Sequence, residues 1–156
     1  MAKKILLVID EDAIERYTKY YFDMHPKAYK APIPHPYHES INTWMIMKRP
    51  MMNALKGRWK DFMCYFVEEQ GYANLHIEQC EIYQTIYFPN HRRHDPDNYT
   101  PKFMMDGLVA SGMLVDDDSE HVTKLTLQCF TDTEHPRTEL LFKLPNKQKA
   151  KELKEG

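Results

Sequence analysis

Apolar positions change period several times along this chain, and each change marks an element. Residues 4–9, KILLVI, form a short apolar run that predicts a strand. Between Asp10 and His25, Ile14, Tyr17, Tyr21 and Met24 recur at i, i+3, i+7 and i+10, the spacing of one helix face. The periodicity then stops: Pro26, Pro32, Pro34 and Pro36 mark a loop or arm. Structureless runs of about 11 residues in a small domain are usually functional or mobile. Ile41, Thr43, Met45 and Met47 alternate and predict a strand over 40–47, ending ahead of Pro50. From Pro50 onward Met52, Leu55, Trp59, Phe62, Met63 and Phe66 share one helical stripe, closed by Gly71. A stripe of this kind packs a helix onto a core; it does not require a cofactor.

The second half reads mostly as strands. Within Leu75–Phe88 the apolar parity changes: Leu75 and Ile77 lie on one face, Cys80, Ile82, Ile86 and Phe88 on the other, so a bulge or bend is expected near Gln79. Leu125, Leu127 and Cys129 alternate with polar neighbours, as do Leu140, Phe142 and Leu144 after a turn through Glu134–Arg137, and the two runs predict an antiparallel hairpin. Residues 146–156 are mostly Lys and Glu and read as a charged, frayed tail. The resulting class is α+β, a mixed β-sheet of about four or five strands with helices packed against it. Residues 1–145 form a single domain, with 1–35 as a possible N-terminal addition or part of a dimer interface.

At 156 residues the chain is one ordinary domain, long enough to bury about 70% of the surface its unfolded form exposes. A net charge of −2 and a pI near 6.4 exclude a protein that grips nucleic acid by bulk charge, so any such contact uses local basic patches. One is expected on the long helix, where Arg49, Lys56 and Lys60 share a side and suit phosphates. Cys64, Cys80 and Cys129 lack CxxC spacing and read as free thiols of a reducing cytoplasm. The apolar run Ile5–Ile9 is too short for a signal segment or a membrane span, so a soluble, cytoplasmic protein is expected.

The chemistry concentrates in residues 91–122, HRRHDPDNYTPKFMMDGLVASGMLVDDDSEHV, where acids gather that no apolar pattern explains. In an extended backbone Asp95 and Asp97 project to the same side, where their repulsion calls for a cation. Asp116, Asp117 and Asp118 form a second group. Thr100 as N-cap, Pro101 at the first helical position and Gly112 as the left-handed residue past the end predict a helix between the groups. That helix returns the chain, bringing a third carboxylate towards the first two; oxygen ligands of this kind suit Mg²⁺, or Mn²⁺, rather than zinc. Lys102 lies in the first turn, where the helix dipole disfavours a cation. A contact with Asp106 at i+4 explains it poorly, because Lys before the acid is the weaker orientation; a place beside a scissile phosphate explains it better. His91 and His94, with Arg92 and Arg93 between them, read as phosphate contacts or loop caps. Tyr87, Phe88 and Tyr99 read as packing, or as rings that stack on unpaired bases.

The succession Asp95-Pro96-Asp97-Asn98, Lys102, Asp106-Gly107-Leu108, Gly112 and Asp116-Asp117 resembles the RusA-type Holliday junction resolvases of bacteria and their phages, over roughly residues 74–130. The resemblance implies a RusA-like, intimate homodimer: a Mg²⁺-dependent endodeoxyribonuclease that resolves four-way DNA junctions by paired nicks in recombination and repair. It implies Asp95, Asp97 and one later aspartate as metal ligands, and Lys102 as the catalytic lysine. Arg92, Arg93, His94 and Asn98 then join Arg49, Lys56 and Lys60 as candidate DNA contacts. Three aspartates stand where the family has two: counting forward from Gly112 selects Asp117, counting back from Ser119 selects Asp118, and Asp117 is preferred. The alternatives are another structure-selective Mg²⁺ nuclease acting on flaps or forks, and a junction-binding protein without turnover.

Overall fold

The computed structural model describes residues 3–145; the charged tail lies outside the described residues. Strand β1 (Lys3–Asp10) buries Ile5, Leu7 and Ile9 on one side, and its last residue starts the next element. The Asp10 carboxylate accepts the Ala13 N–H at 2.9 Å, capping helix α1 (Glu11–Met24), whose first-turn Glu11 and Asp12 complement the helix dipole. Ala13, Ile14 and Tyr17 form its buried stripe.

Residues 25–39 have no regular structure, as the prolines predict, yet they are a packed strap rather than a free arm. Ile33 and His38 are buried, and the Thr138 hydroxyl donates to the Pro36 carbonyl at 2.6 Å. The expected strand over 40–47 is instead a one-turn helix, α2 (Ile41–Trp44), capped by the Ser40 hydroxyl on the Asn42 N–H. Alternation misled because the inward residues are Ile41 and Trp44, at i and i+3, while Thr43 and Met45 face solvent. Helix α3 (Arg49–Glu69) carries Leu55, Trp59, Phe62, Met63, Phe66 and Val67 inward. Burying each of Phe62, Met63 and Phe66, all at most 1% exposed, contributes roughly 1.5–3 kcal/mol. Gly71, at φ +87°, turns the chain out of the helix.

The expected bend in the next segment is real and splits it. Asn74 and His76 adopt positive φ, Ile77 makes an isolated bridge to Leu114, and strand β2 (Cys80–Phe88) follows with a register shift between Cys80 and Glu81. Helix α4 (Lys102–Ala110) leads to strand β3 (Val122–Thr131), and β4 (Arg137–Leu144) ends the sheet. The sheet is mixed and four-stranded, in the order β1-β4-β2-β3.

Both strands of the expected hairpin exist, but they do not pair. β2 lies between them, parallel to β3 and antiparallel to β4. Five of the nine β2 residues are buried in strict alternation, so this strand takes the centre and needs ladder partners on both edges. The connection from β3 to β4 passes over its end, where the Asp132 N–H donates to the Phe88 carbonyl at 2.8 Å. β1 pairs with β4 along its whole length, so the N-terminal strand is an edge of the same sheet. The core lies between one sheet face (Ile5, Leu7, Ile9, Ile82, Leu140, Phe142) and the helices. The other face is open, with Leu6 at 49% and Phe130 at 52% exposure. All three cysteines are unpaired, and burial pushes the Cys80 thiol up to about 12. Among the described residues no helix is long and apolar enough to cross a membrane.

Candidate functional site

Central strand β2 delivers the chain to the acidic segment and Pro89 stops it. Phe88 is buried; the His94 ring stacks on it at 3.6 Å, and Tyr99 and Tyr37 pack edge-on. The aromatic cluster is therefore packing that seats the loop. His94 contributes a ring face; burial lowers its pKa, a backbone hydrogen bond with Arg92 opposes that, and the Arg92 charge adds to it. A neutral ring is a weak phosphate anchor at physiological pH.

The DPDN segment is not extended, as the same-side argument for its carboxylates requires. Asp95 is extended (φ −90°, ψ 121°), but Pro96–Asn98 form a 3-10 turn, with the Asn98 N–H on the Asp95 carbonyl at 2.9 Å. The proline sets the first φ of that turn and so overrides an extended course. Asp95 pairs with Arg93 at 3.0 Å, whereas Asp97 is exposed and without an ion pair among the described residues. Gln84, 1% exposed on β2, donates its amide to the Tyr99 carbonyl at 2.7 Å and ties the turn to the sheet centre. This residue carries no motif and sequence reading missed it; a lone glutamine on the apolar face of a strand is the one signal it leaves.

The start of α4 also differs from expectation. Thr100 makes no side-chain cap, and Pro101 takes the cap position, its carbonyl accepting the Met105 N–H at 2.9 Å. The capping acceptor comes from the strap: His38 Nε2 accepts the Phe103 N–H at 3.0 Å. Proline at the boundary holds Thr100 away from the helical amides that a threonine cap serves. The rest of α4 lies close against α3. A Cβ at Gly107 would collide with Met63 Cβ and sit 3.0 Å from its Cγ, so only glycine permits this approach. Asp106 pairs across the two helices with Lys56 at 3.8 Å. Lys102 is left without an ion pair among the described residues, since its i+4 neighbour is engaged elsewhere.

Gly112, at φ +79° and tight against Asn74, ends the helix, and Met113 and Leu114 return to the core. The three aspartates then emerge with separate tasks. Asp116 accepts the Asp117 N–H at 2.7 Å. Asp118 accepts the Glu120 and His121 N–H groups, each at 3.1 Å, and pairs with the His121 ring, which lowers its own pKa and raises that of His121. Asp117 lines an open groove of about 480 Å³ with Thr100, Lys102 and Met105 of the α4 start, Ser119, and Val122 and Leu125 of edge strand β3. Partial burial, then the Asp116 hydrogen bond and the charge of Asp106, hold the Asp117 carboxyl above its ordinary value. Of the three, Asp117 is the one that shares the groove with Lys102.

Carboxylate oxygens suit Mg²⁺ chemically. The described residues bring three ligand atoms within 4.8 Å of one another at Asp116, Asp118 and His121, a different set from the expected Asp95, Asp97 and Asp117, which do not form such a group. Mg²⁺ is commonly held by one or two carboxylates, with waters and substrate phosphates completing its octahedron. Of the remaining candidate contacts, Arg92 and Arg93 are exposed on the loop and Asn98 is half-buried in the turn. Arg49, Lys56 and Lys60 are exposed on α3. Comparison with family models and with curated protein sequences returned no match.

Proposed function

We propose that this chain is a RusA-type, Mg²⁺-dependent endodeoxyribonuclease that resolves four-way DNA junctions. The observation that carries the reading is the groove lined both by Lys102, without an ion pair among the described residues at the start of α4, and by Asp117 from the loop before β3. In this reading Asp95, Asp97 and Asp117 hold the metal, and Asp117 is the ligand among the three consecutive aspartates. When bound, Mg²⁺ supplies activation of the attacking water and neutralises charge on the phosphoryl oxygens. Lys102 stands beside the scissile phosphate and stabilises the charge that develops there. Arg92, Arg93 and Asn98 position the strand, and Arg49, Lys56 and Lys60 engage phosphates further along. A four-way junction presents two equivalent strands, so a C2 pair of subunits matches it. The open sheet face with Leu6 and Phe130 offers apolar surface for such a pair.

The deciding experiment incubates the protein with a synthetic four-way junction, a flap and a linear duplex, with and without Mg²⁺, and determines its mass by sedimentation at micromolar concentration. The expected result is paired nicks in the junction alone, dependent on Mg²⁺, from a dimer. Preference for the flap from a monomer favours the single-nick nuclease, and tight junction binding without nicks favours the non-catalytic binder.

A further inference from the structure

The proline strap reaches the proposed site through one side chain. His38 is fully buried, its ring parallel to Trp59 of α3 (11° between planes) and 5.0 Å from the ring of Phe103 at the start of α4. Both ring nitrogens are used. Nδ1 lies 2.8 Å from the Glu39 carbonyl, which can only accept, and Nε2 lies 3.0 Å from the Phe103 N–H, which can only donate. The proton therefore sits on Nδ1 and the ring is neutral. Its surroundings are themselves fixed, because the Glu39 carboxylate accepts the Trp59 indole N–H at 2.7 Å.

We propose that His38 is a positioning residue: its neutral imidazole holds the first turn of α4, and with it Lys102, at the groove, and protonation releases that turn. The proposal rests on the nuclease reading for its catalytic consequence and on the hydrogen bonds alone for its structural one. A proton on Nε2 would set one donor against another, the Phe103 N–H, in a buried place, and both groups would lose their partner. The titratable groups around the ring are His35 and Glu39 of the strap and Asp106 of α4; α3 presents the uncharged Trp59. Burial is the largest influence and lowers the His38 pKa, the Glu39 carbonyl, Glu39 charge and Asp106 oppose it, and His35 adds to it. The unfolded chain takes up this proton near the ordinary value of about 6.5. The cap therefore contributes fully above that pH, and its contribution is lost as pH falls through the lowered folded value.

Two variants separate the roles of shape and acceptor. His38→Gln supplies an amide oxygen for the Phe103 N–H and does not titrate, whereas His38→Leu fills the space with no acceptor. Hydrogen-exchange protection of the Phe103 amide, referred to its intrinsic rate at each pH, is measured from pH 7 to 5 beside kcat and KM for junction cleavage in Mg²⁺. The wild type is expected to lose Phe103 protection at least tenfold towards pH 5, with kcat falling in step and KM unchanged. His38→Gln keeps protection across the range and loses the His38-dependent part of the acid fall in kcat. His38→Leu lacks protection at every pH and cleaves at least tenfold more slowly at pH 7; if it does not fold, the comparison of wild type with His38→Gln decides. Phe103 protection that is independent of pH in the wild type, or a folded His38→Leu with wild-type kcat, overturns the proposal. A wild type that cleaves no junction overturns the nuclease reading instead, and the Phe103 amide then tests the cap by itself.

Discussion

Asp97→Asn is expected to cleave four-way junctions at least about a hundredfold more slowly than the wild-type protein while binding them as tightly or more tightly. The substitution keeps the side chain's shape and one acceptor oxygen but removes the charge that would face the metal in the proposed site. Changes one shell out from a bound metal already cost about 10–100-fold in affinity or activity, so losing a ligand's charge costs more. Binding survives because a negative group beside the phosphates has gone. Asp97 is the cleaner position for this test than Asp95, whose replacement also frees Arg93 from its 3.0 Å pair. The Asn series at the other acids extends it. Asp117→Asn should behave like Asp97→Asn, whereas Asp118, committed to the His121 ring and two backbone amides, should affect loop order more than chemistry. The measurement is single-turnover cleavage under limiting Mg²⁺ beside a binding titration without metal. Near wild-type cleavage by Asp97→Asn would make DPDN an ordinary turn and count against Asp97 as a metal ligand.

Gly107→Ala should produce a large loss of stability from a single added methyl group. Its Cβ would meet Met63 Cβ and Cγ and approach the Lys60 carbonyl to 3.3 Å, and none of these is the free end of a flexible side chain. Helices α3 and α4 must then separate, and α4 carries Lys102. Overpacking of this kind costs about 3 kcal/mol at the upper end of its usual range, or roughly 6–12 °C in Tm for a chain of this size. Gly57, in α3, is the control with the opposite sign. Nothing lies within 4 Å of a Cβ built there, so Gly57→Ala should stabilise by up to about 1 kcal/mol through helix propensity. Thermal melts of the two variants decide the matter: a Gly107→Ala protein melting with the wild type would show that the helix contact yields easily.

What the chain determined by itself is everything a short stretch can encode. Stripes at 3.6 residues specify α1 and α3, a short apolar run specifies β1, alternation specifies β2 and β4, and an aspartate before an amphipathic run caps α1. Gly71 and Gly112 take positive φ where the patterns end, because a helix exit of that hand favours the residue without a Cβ. The acidic segments were legible as candidates for the same reason, being dense in one stretch of sequence. Tertiary structure decided who partners whom. β2 parts β3 from β4 because its buried alternation demands two ladders, and alternation states which face is covered without stating by which neighbour. Residues 41–44 became helical through the inward reach of Ile41 and Trp44. Asp106 found Lys56 on another helix instead of Lys102 on its own. The α4 cap came from His38, 65 positions earlier in the chain, displacing the local Thr100. In each case the competing partners lie far apart in sequence, and free energy chooses between them only once the core has brought them within hydrogen-bond reach.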